Sequence, residues 1–220
     1  MEITIFNVQF ELDKKMNGSA SQLRGYFSTK FNEYLLLHHH KPTGFLYQYP
    51  CVQYKIINGV PTVIGINEGT DVLIEIFNEY DSILLGRESY KIKEKKVIYH
   101  KQEFGITDHA QIYNFLTPWV ALNKENYYKY YGLKDSFERN ELLSKTLIGN
   151  ILSLSKTLGY EVSSKIECGV SVQPKKVSIK KTNLMAFNGS FQTNFNIPDF
   201  LGLGKSVSRG YGTVQNKKNG

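Results

Sequence analysis

Two short stretches of this 220-residue sequence hold residue types able to do chemistry: the run His38-His39-His40, and the glycine-rich segment Gly202-Leu-Gly204-Lys-Ser-Val-Ser-Arg-Gly210-Tyr-Gly212. Histidine titrates near neutrality, and a helix C-terminus favours its cationic form, so a histidine run at a helix end suits proton transfer. Metal binding is a second reading of the run. Adjacent helical residues point about 100° apart, however, and no HExxH, DxD or paired-carboxylate spacing stands nearby to complete a site. In the third reading His38, one turn after Tyr34, simply caps an apolar face. On a regular helix His38 and His40 point in nearly opposite directions, so joint action requires the helix to unwind before Pro42.

The glycine-rich segment is not a standard nucleotide loop. A Walker A loop needs glycine where Asp199 stands, and a dinucleotide fingerprint beginning at Gly202 needs glycine where Val207 stands. What remains is a flexible loop expected to expose backbone N–H groups beside Lys205, Ser206, Ser208 and Arg209. Amides, hydroxyls and cations together suit phosphate contact without a metal. A wide turn entering a final strand is the plainer alternative.

These stretches have to be positioned by the elements around them. Ile3 to Leu12 alternates as a half-buried strand. Ser19 and Gln22 have capping-box spacing, and Leu23, Phe27, Phe31, Tyr34 and Leu35 follow at helical spacing, predicting one helix that ends near the histidines. Cys51–Ile57 and Val60–Ile66 flank Asn58-Gly59, a type I′ hairpin turn. A short helix is expected over Asp71–Tyr80 and extended chain over Ser82–Phe104. The order strand, helix, strand, strand, helix, strand is the ferredoxin-like split βαβ order.

The polar stretch Ile106–Gln111 reads as the boundary before a second round. There Asp135 caps a long helix, with Leu143, Leu147, Ile151, Leu154 and Leu158 on one face and Gly159 as its stop. Strands follow, the last over Tyr211–Gln215. The expected fold class is α+β: two tandem ferredoxin-like (RRM-like, βαββαβ) domains, residues 1–106 and 111–220, the second degenerate.

Composition narrows the setting. Lys and Arg number 27 against 20 Asp and Glu, a net charge of +7 that favours polyanionic partners. At this length a core needs no disulfide staple, and two distant cysteines, Cys51 and Cys168, fit a reducing cytoplasm. No apolar run reaches the ~20 residues that span a bilayer, so no membrane role is expected. Lys91–Lys96 and the pairs Lys175-Lys176 and Lys180-Lys181 either track a phosphate backbone or are solvated strand ends. Most of the 15 tyrosines, Tyr47, Tyr49 and Tyr54 included, are read as packing, with stacking on unpaired bases as a minor role.

Several segments resemble one family. LRGYF (Leu23 to Phe27), the histidines followed by YPCVQYKII (Tyr49 to Ile57), FLTPWVALN (Phe115 to Asn123), GNILSLSKTLGY (Gly149 to Tyr160) and IPDFLGLGKSVSRGYGTV (Ile197 to Val214) are similar to CRISPR-associated endoribonucleases of the Cas six family, subtype b. The resemblance implies two ferredoxin-like halves and metal-independent, cofactor-free cleavage of CRISPR precursor RNA within its repeats. The ribose 2′-hydroxyl attacks the adjacent phosphate, leaving 2′,3′-cyclic phosphate and 5′-hydroxyl ends. In the family's pattern two histidines one residue apart carry the proton transfers, and they fall on His38 and His40. A tyrosine that orients the phosphate falls on Tyr47.

The same resemblance assigns RNA-backbone binding to Gly202, Gly204, Lys205, Ser206, Ser208, Arg209 and Gly210, and to Lys156 on the second long helix. Repeat RNA, subunits of an interference complex and a second copy of the chain are the partners it implies. A repeat-RNA-binding protein without turnover, and a histidine-metal phosphodiesterase, are the competing functions.

Overall fold

The computed structural model describes residues 1–38, 40–41, 44–45, 49–179 and 182–219, with the backbone alone described at 38, 40–41, 44–45 and 219. Its contacts gather into two compact units. One is Glu2–Gln102 together with Val207–Gly210, and the other is Met1, Glu103–Ser206 and Tyr211–Gly220. Each is built on an antiparallel sheet.

The first unit opens with strand β1 (Glu2–Leu12) and helix α1 (Ala20–Lys30). Ser19 caps α1 as expected: its Oγ accepts from the Gln22 amide at 3.3 Å while Gln22 Oε1 accepts from the Ser19 amide at 2.9 Å. The helix does not continue to the histidines. It stops at Lys30, because Phe31 leaves the helical region (φ −123°, ψ 56°) to put its ring against Phe27 and Tyr80. A separate one-turn helix, α2 (Leu35–His38), follows, and then the two-residue strands β2 (His40–Lys41) and β3 (Gly44–Phe45), paired His40 to Phe45 and Lys41 to Gly44.

Strands β4 (Val52–Ile57) and β5 (Val60–Ile66) form the expected hairpin, with Asn58 and Gly59 both at positive φ. Helix α3 (Glu68–Glu75), earlier than the expected Asp71–Tyr80, leads to β6 (Ser82–Leu85) and β7 (Glu88–Glu103). The sheet order is β4-β5-β1-β7-β6, which places β1 between β5 and β7 as the ferredoxin-like plan requires. Leu23 and Phe27 of α1 and Leu73 of α3 share one core with Val8, Phe10, Val52, Tyr54 and Val63.

The second unit comprises β8 (Gly105–Phe115), α4 (Lys124–Gly132), α5 (Ser136–Thr157), β9 (Cys168–Ile179), β10 (Thr182–Asn196) and β11 (Val214–Asn216). Ile106–Gln111, read from the sequence as a boundary, lies inside β8. Gln111 pairs with Thr193 and Ile106 with Phe195, so sheet pairing overrides the weak local apolar pattern. Helix α4 was not foreseen. Its tyrosine-rich sequence buries only Tyr130, so no apolar stripe marks it. The order β11-β8-β10-β9 repeats the first sheet's plan, and the glycine-rich segment stands in the chain where the second helix would be. That replacement is the degeneracy. No helix among the described residues is long and apolar enough to cross a membrane.

Candidate nucleic-acid interface

The glycine-rich segment divides between the units: Lys205 and Ser206 belong to the second, Ser208 and Arg209 to the first. The sequence suggested a flexible loop with exposed amides, and the structure corrects this. The amide of Leu203 donates to Gly212 O (2.8 Å), that of Lys205 to Val120 O (3.0 Å), that of Gly210 to Val207 O (3.1 Å) and that of Gly212 to Pro118 O (2.9 Å). Gly202 and Gly210 are buried. These glycines shape a pinned loop, and the exposed Lys205 and half-exposed Ser206, Ser208 and Arg209 side chains are what it presents.

Two positions show why glycine is needed. At Gly204 (φ +86°) a Cβ would stand 2.7 Å from Trp119 Nε1 and from Val120 O. Trp119 is itself fixed, stacked on Phe115 at 5.2 Å and donating from Nε1 to Asn150 Oδ1 of α5 at 3.0 Å. At Gly210 (φ +86°) a Cβ would stand 2.8 Å from Ala20 Cβ and 3.1 Å from Tyr54 O. The 3₁₀ turn Val207–Arg209 thereby sits against α1 and β4.

That contact assembles a cationic site in the first unit. Arg24 of α1 is half-buried, and its pKa is lowered first by desolvation and then by the like charge of Arg209. Tyr54 of β4 interacts electrostatically with Arg24, and its hydroxyl donates to Leu37 O at 3.2 Å. Leu37, in α2 immediately before His38, is buried. Helix α2 ends at His38 and His40 lies in β2, so the two histidines belong to different elements. Tyr47 and His39 lie outside the described residues, as do the side chains of His38 and His40.

Arg24 was given no role in the sequence reading. A signal was available: only four of the 27 basic residues are arginine, and two of them, Arg24 and Arg209, converge here. A guanidinium fork matches phosphate oxygens better than an ammonium. On the opposite face of β4 from Val52 and Tyr54, Lys55 is fully buried; its Nζ donates to Gln53 Oε1 at 2.9 Å, and burial pushes its pKa down to about 7.

In the second unit, Lys205 lines a cleft of about 740 Å³ with α4 and the β9–β10 hairpin, and partial burial pulls its ammonium below the usual lysine range. Lys156 stands exposed on the last turn of α5 and is not among the residues lining that cleft.

Family models for the Cas6b N-terminal domain and the Cas6b C-terminal domain match residues 1–103 and 105–217. This chain belongs to the Cas6b family. A crystal structure of Cas6b superposes with a TM-score of 0.91 at 36% identity, covering 98% of this chain and 100% of that one. Another, of the CRISPR RNA processing endoribonuclease Cas6b, gives 0.80 at 35% identity over 98% and 100%. An uncharacterised protein of Methanocaldococcus jannaschii is 39% identical over 141 residues, 64% of this chain and 95% of that protein. The segments quoted for the resemblance also meet inside each unit: in the second, FLTPW supplies Trp119, GNIL supplies Asn150 and GLGK supplies Gly204, all in contact at Trp119, while in the first LRGYF supplies Arg24 beside Arg209.

Proposed function

We propose that this Cas6b-family chain is an endoribonuclease that cleaves CRISPR precursor RNA within its repeats and needs no metal to do so. One histidine of the His38/His40 pair accepts the proton of a ribose 2′-hydroxyl as its oxygen bonds to the adjacent phosphorus. The other protonates the 5′-oxygen as the P–O5′ bond breaks. A 2′,3′-cyclic phosphate and a 5′-hydroxyl result. The phosphorane carries extra negative charge, which Arg24 and Arg209 are suited to stabilise, and Tyr47 orients the phosphate by the family's pattern. Ser208 contributes a hydroxyl from the same turn, while Lys205, Ser206 and Lys156 hold RNA backbone elsewhere on the chain.

The observation that carries this reading is the tie from the two arginines through Tyr54 to Leu37, next to His38. A relative that shares the family and 35% of its sequence bears the name CRISPR RNA processing endoribonuclease.

The test is cleavage of the host's repeat RNA in EDTA, with the product ends determined. The expected result is cyclic phosphate and 5′-hydroxyl ends, no cutting when the nucleotide supplying the 2′-hydroxyl is 2′-deoxy, and loss of activity in His38→Ala or His40→Ala. Cleavage of the deoxy substrate, or tight binding with no turnover, overturns the mechanism.

A further inference from the structure

The groove of the second unit holds a combination that the cleavage chemistry leaves unused. Helix α4 carries four tyrosines in nine residues. Tyr130 is structural: it is buried, its ring meets Phe187 edge-on at 5.5 Å, and the Arg139 guanidinium lies 5.2 Å from it. The other three are not used that way. Tyr127, Tyr128 and Tyr131 are 39%, 65% and 55% exposed and all line the cleft. Tyr127 and Tyr131, one helical turn apart, have ring centroids 4.8 Å apart at 57°, which leaves an aromatic wall open to solvent.

Facing that wall is positive charge. Lys124, Lys175, Lys176, Lys205 and Arg139 are among the lining residues, and among the described residues no carboxylate lines it. The acidic residue of α4 is already matched, since Glu125 pairs with Lys129 at 2.7 Å. Lys176 acts electrostatically on the Tyr127 hydroxyl, so an ammonium stands at the edge of the aromatic wall. Lys175 and Lys176 lie on β9, held in register against Ala186 and Met185 of β10. Lys205 is brought in by the turn that Gly204 permits.

We propose that this groove binds unpaired RNA, with bases stacked on Tyr127, Tyr128 and Tyr131 and phosphates held by Lys124, Lys175, Lys176 and Lys205. Every base offers a face to an aromatic ring, and a row of cations tracks the backbone. An apolar peptide would leave these cations unmatched, and an acidic peptide would not use three exposed rings. A volume of about 740 Å³ is that of a pocket for a small ligand, enough for a short splayed segment rather than a duplex. The inference rests on the reading that this chain's substrate is RNA.

The test uses the full chain and fluorescein-labelled repeat RNA. Tyr127→Ala/Tyr131→Ala is expected to raise Kd roughly tenfold or more. Tyr127→Phe/Tyr131→Phe, which keeps the rings, stays within about twofold, as does Phe137→Ala, which removes an exposed aromatic outside the groove. Repeat RNA carrying 4-thiouridine, irradiated on the wild-type protein, should crosslink to the α4 or β9 peptides, a readout independent of variant folding. Wild-type affinity in the alanine pair, or crosslinks confined to other peptides, overturns the groove assignment while cleavage by the wild type stands. Wild-type protein that neither binds nor cuts repeat RNA defeats the functional reading itself.

Discussion

The Tyr54 hydroxyl donates to the Leu37 carbonyl oxygen at 3.2 Å, joining a core residue of β4 to the backbone one residue before His38. Tyr54 is fully buried and its ring lies 5.6 Å from that of Phe27, so the anchor is rigid. Helix α2 is one turn long and cannot hold itself by helical hydrogen bonding alone. Tyr54→Phe keeps the ring and removes the anchor. The expected cost is about 1 kcal/mol of stability, with a larger proportional loss in single-turnover cleavage of repeat RNA. Denaturant titration and a cleavage time course check it. A destabilised variant that still cleaves at the wild-type rate would remove Tyr54 from the positioning of His38.

Burial first and then the neighbouring charge of Arg209 disfavour the charged form of Arg24, and an anion between the two guanidiniums, such as an RNA phosphate, would relieve that repulsion. Replacing either by alanine should weaken repeat-RNA binding and make the dependence of log K on log salt shallower by about 0.7 per lost phosphate contact. Because the two share a site, their effects should not add, with coupling of roughly 0.5 kcal/mol or more. Salt titrations of the two single variants and the double variant measure both quantities. An unchanged salt slope would mean that neither guanidinium meets phosphate.

Gly210→Ala forces a Cβ to within 2.8 Å of Ala20 Cβ at φ +86°. The left-handed backbone alone costs an L residue about 1–2 kcal/mol, and the clash adds to it. Gly25→Ala is the contrast: nothing stands within 4 Å, and the site is inside α1, so alanine should stabilise by about 1 kcal/mol. Thermal melts of the pair should move in opposite directions. Limited proteolysis should nick the Gly210→Ala variant between Lys205 and Arg209, where the turn no longer seats against α1 and β4.

Lys55 gives the stability of this chain a pH dependence of predictable sign. Its folded pKa is pushed down to about 7 by burial, below the ordinary lysine value of 10.5. Between those values the unfolded chain holds the proton and the native chain does not, so stability from this group rises with pH, by up to about 1.4 kcal/mol per unit. Below about 7 the native lysine is charged and the burial cost is fully present. Lys55→Met lacks the ionisation, and the loss of the Lys55–Gln53 hydrogen bond does not itself titrate. The stability of wild type relative to Lys55→Met should therefore improve steadily from pH 7 to 10 in denaturant midpoints. A difference that does not vary with pH would mean that Lys55 keeps an ordinary pKa.

The sequence alone determined what short-range physics controls. The Ser19–Gln22 capping box, the Asn58-Gly59 turn, the Leu143–Leu158 stripe of α5 and the stop at Gly159 all stand where spacing put them, because each depends on residues within a turn or two. The strand and helix order also announced the ferredoxin-like plan. Tertiary structure decided the rest. Phe31 gains more from the rings of Phe27 and Tyr80 than from another helical turn, so the long helix breaks before the histidines. Ile106–Gln111 becomes strand because β10 supplies hydrogen-bond partners that local polarity does not reveal. The glycine-rich segment, read as open and flexible, is pinned by carbonyls of Pro118 and Val120 and by its own residues. Arg24 and Arg209 share a site although nearly the whole chain separates them. Burial and proximity arise from the packed chain, and no local pattern in the sequence records which distant residues will meet.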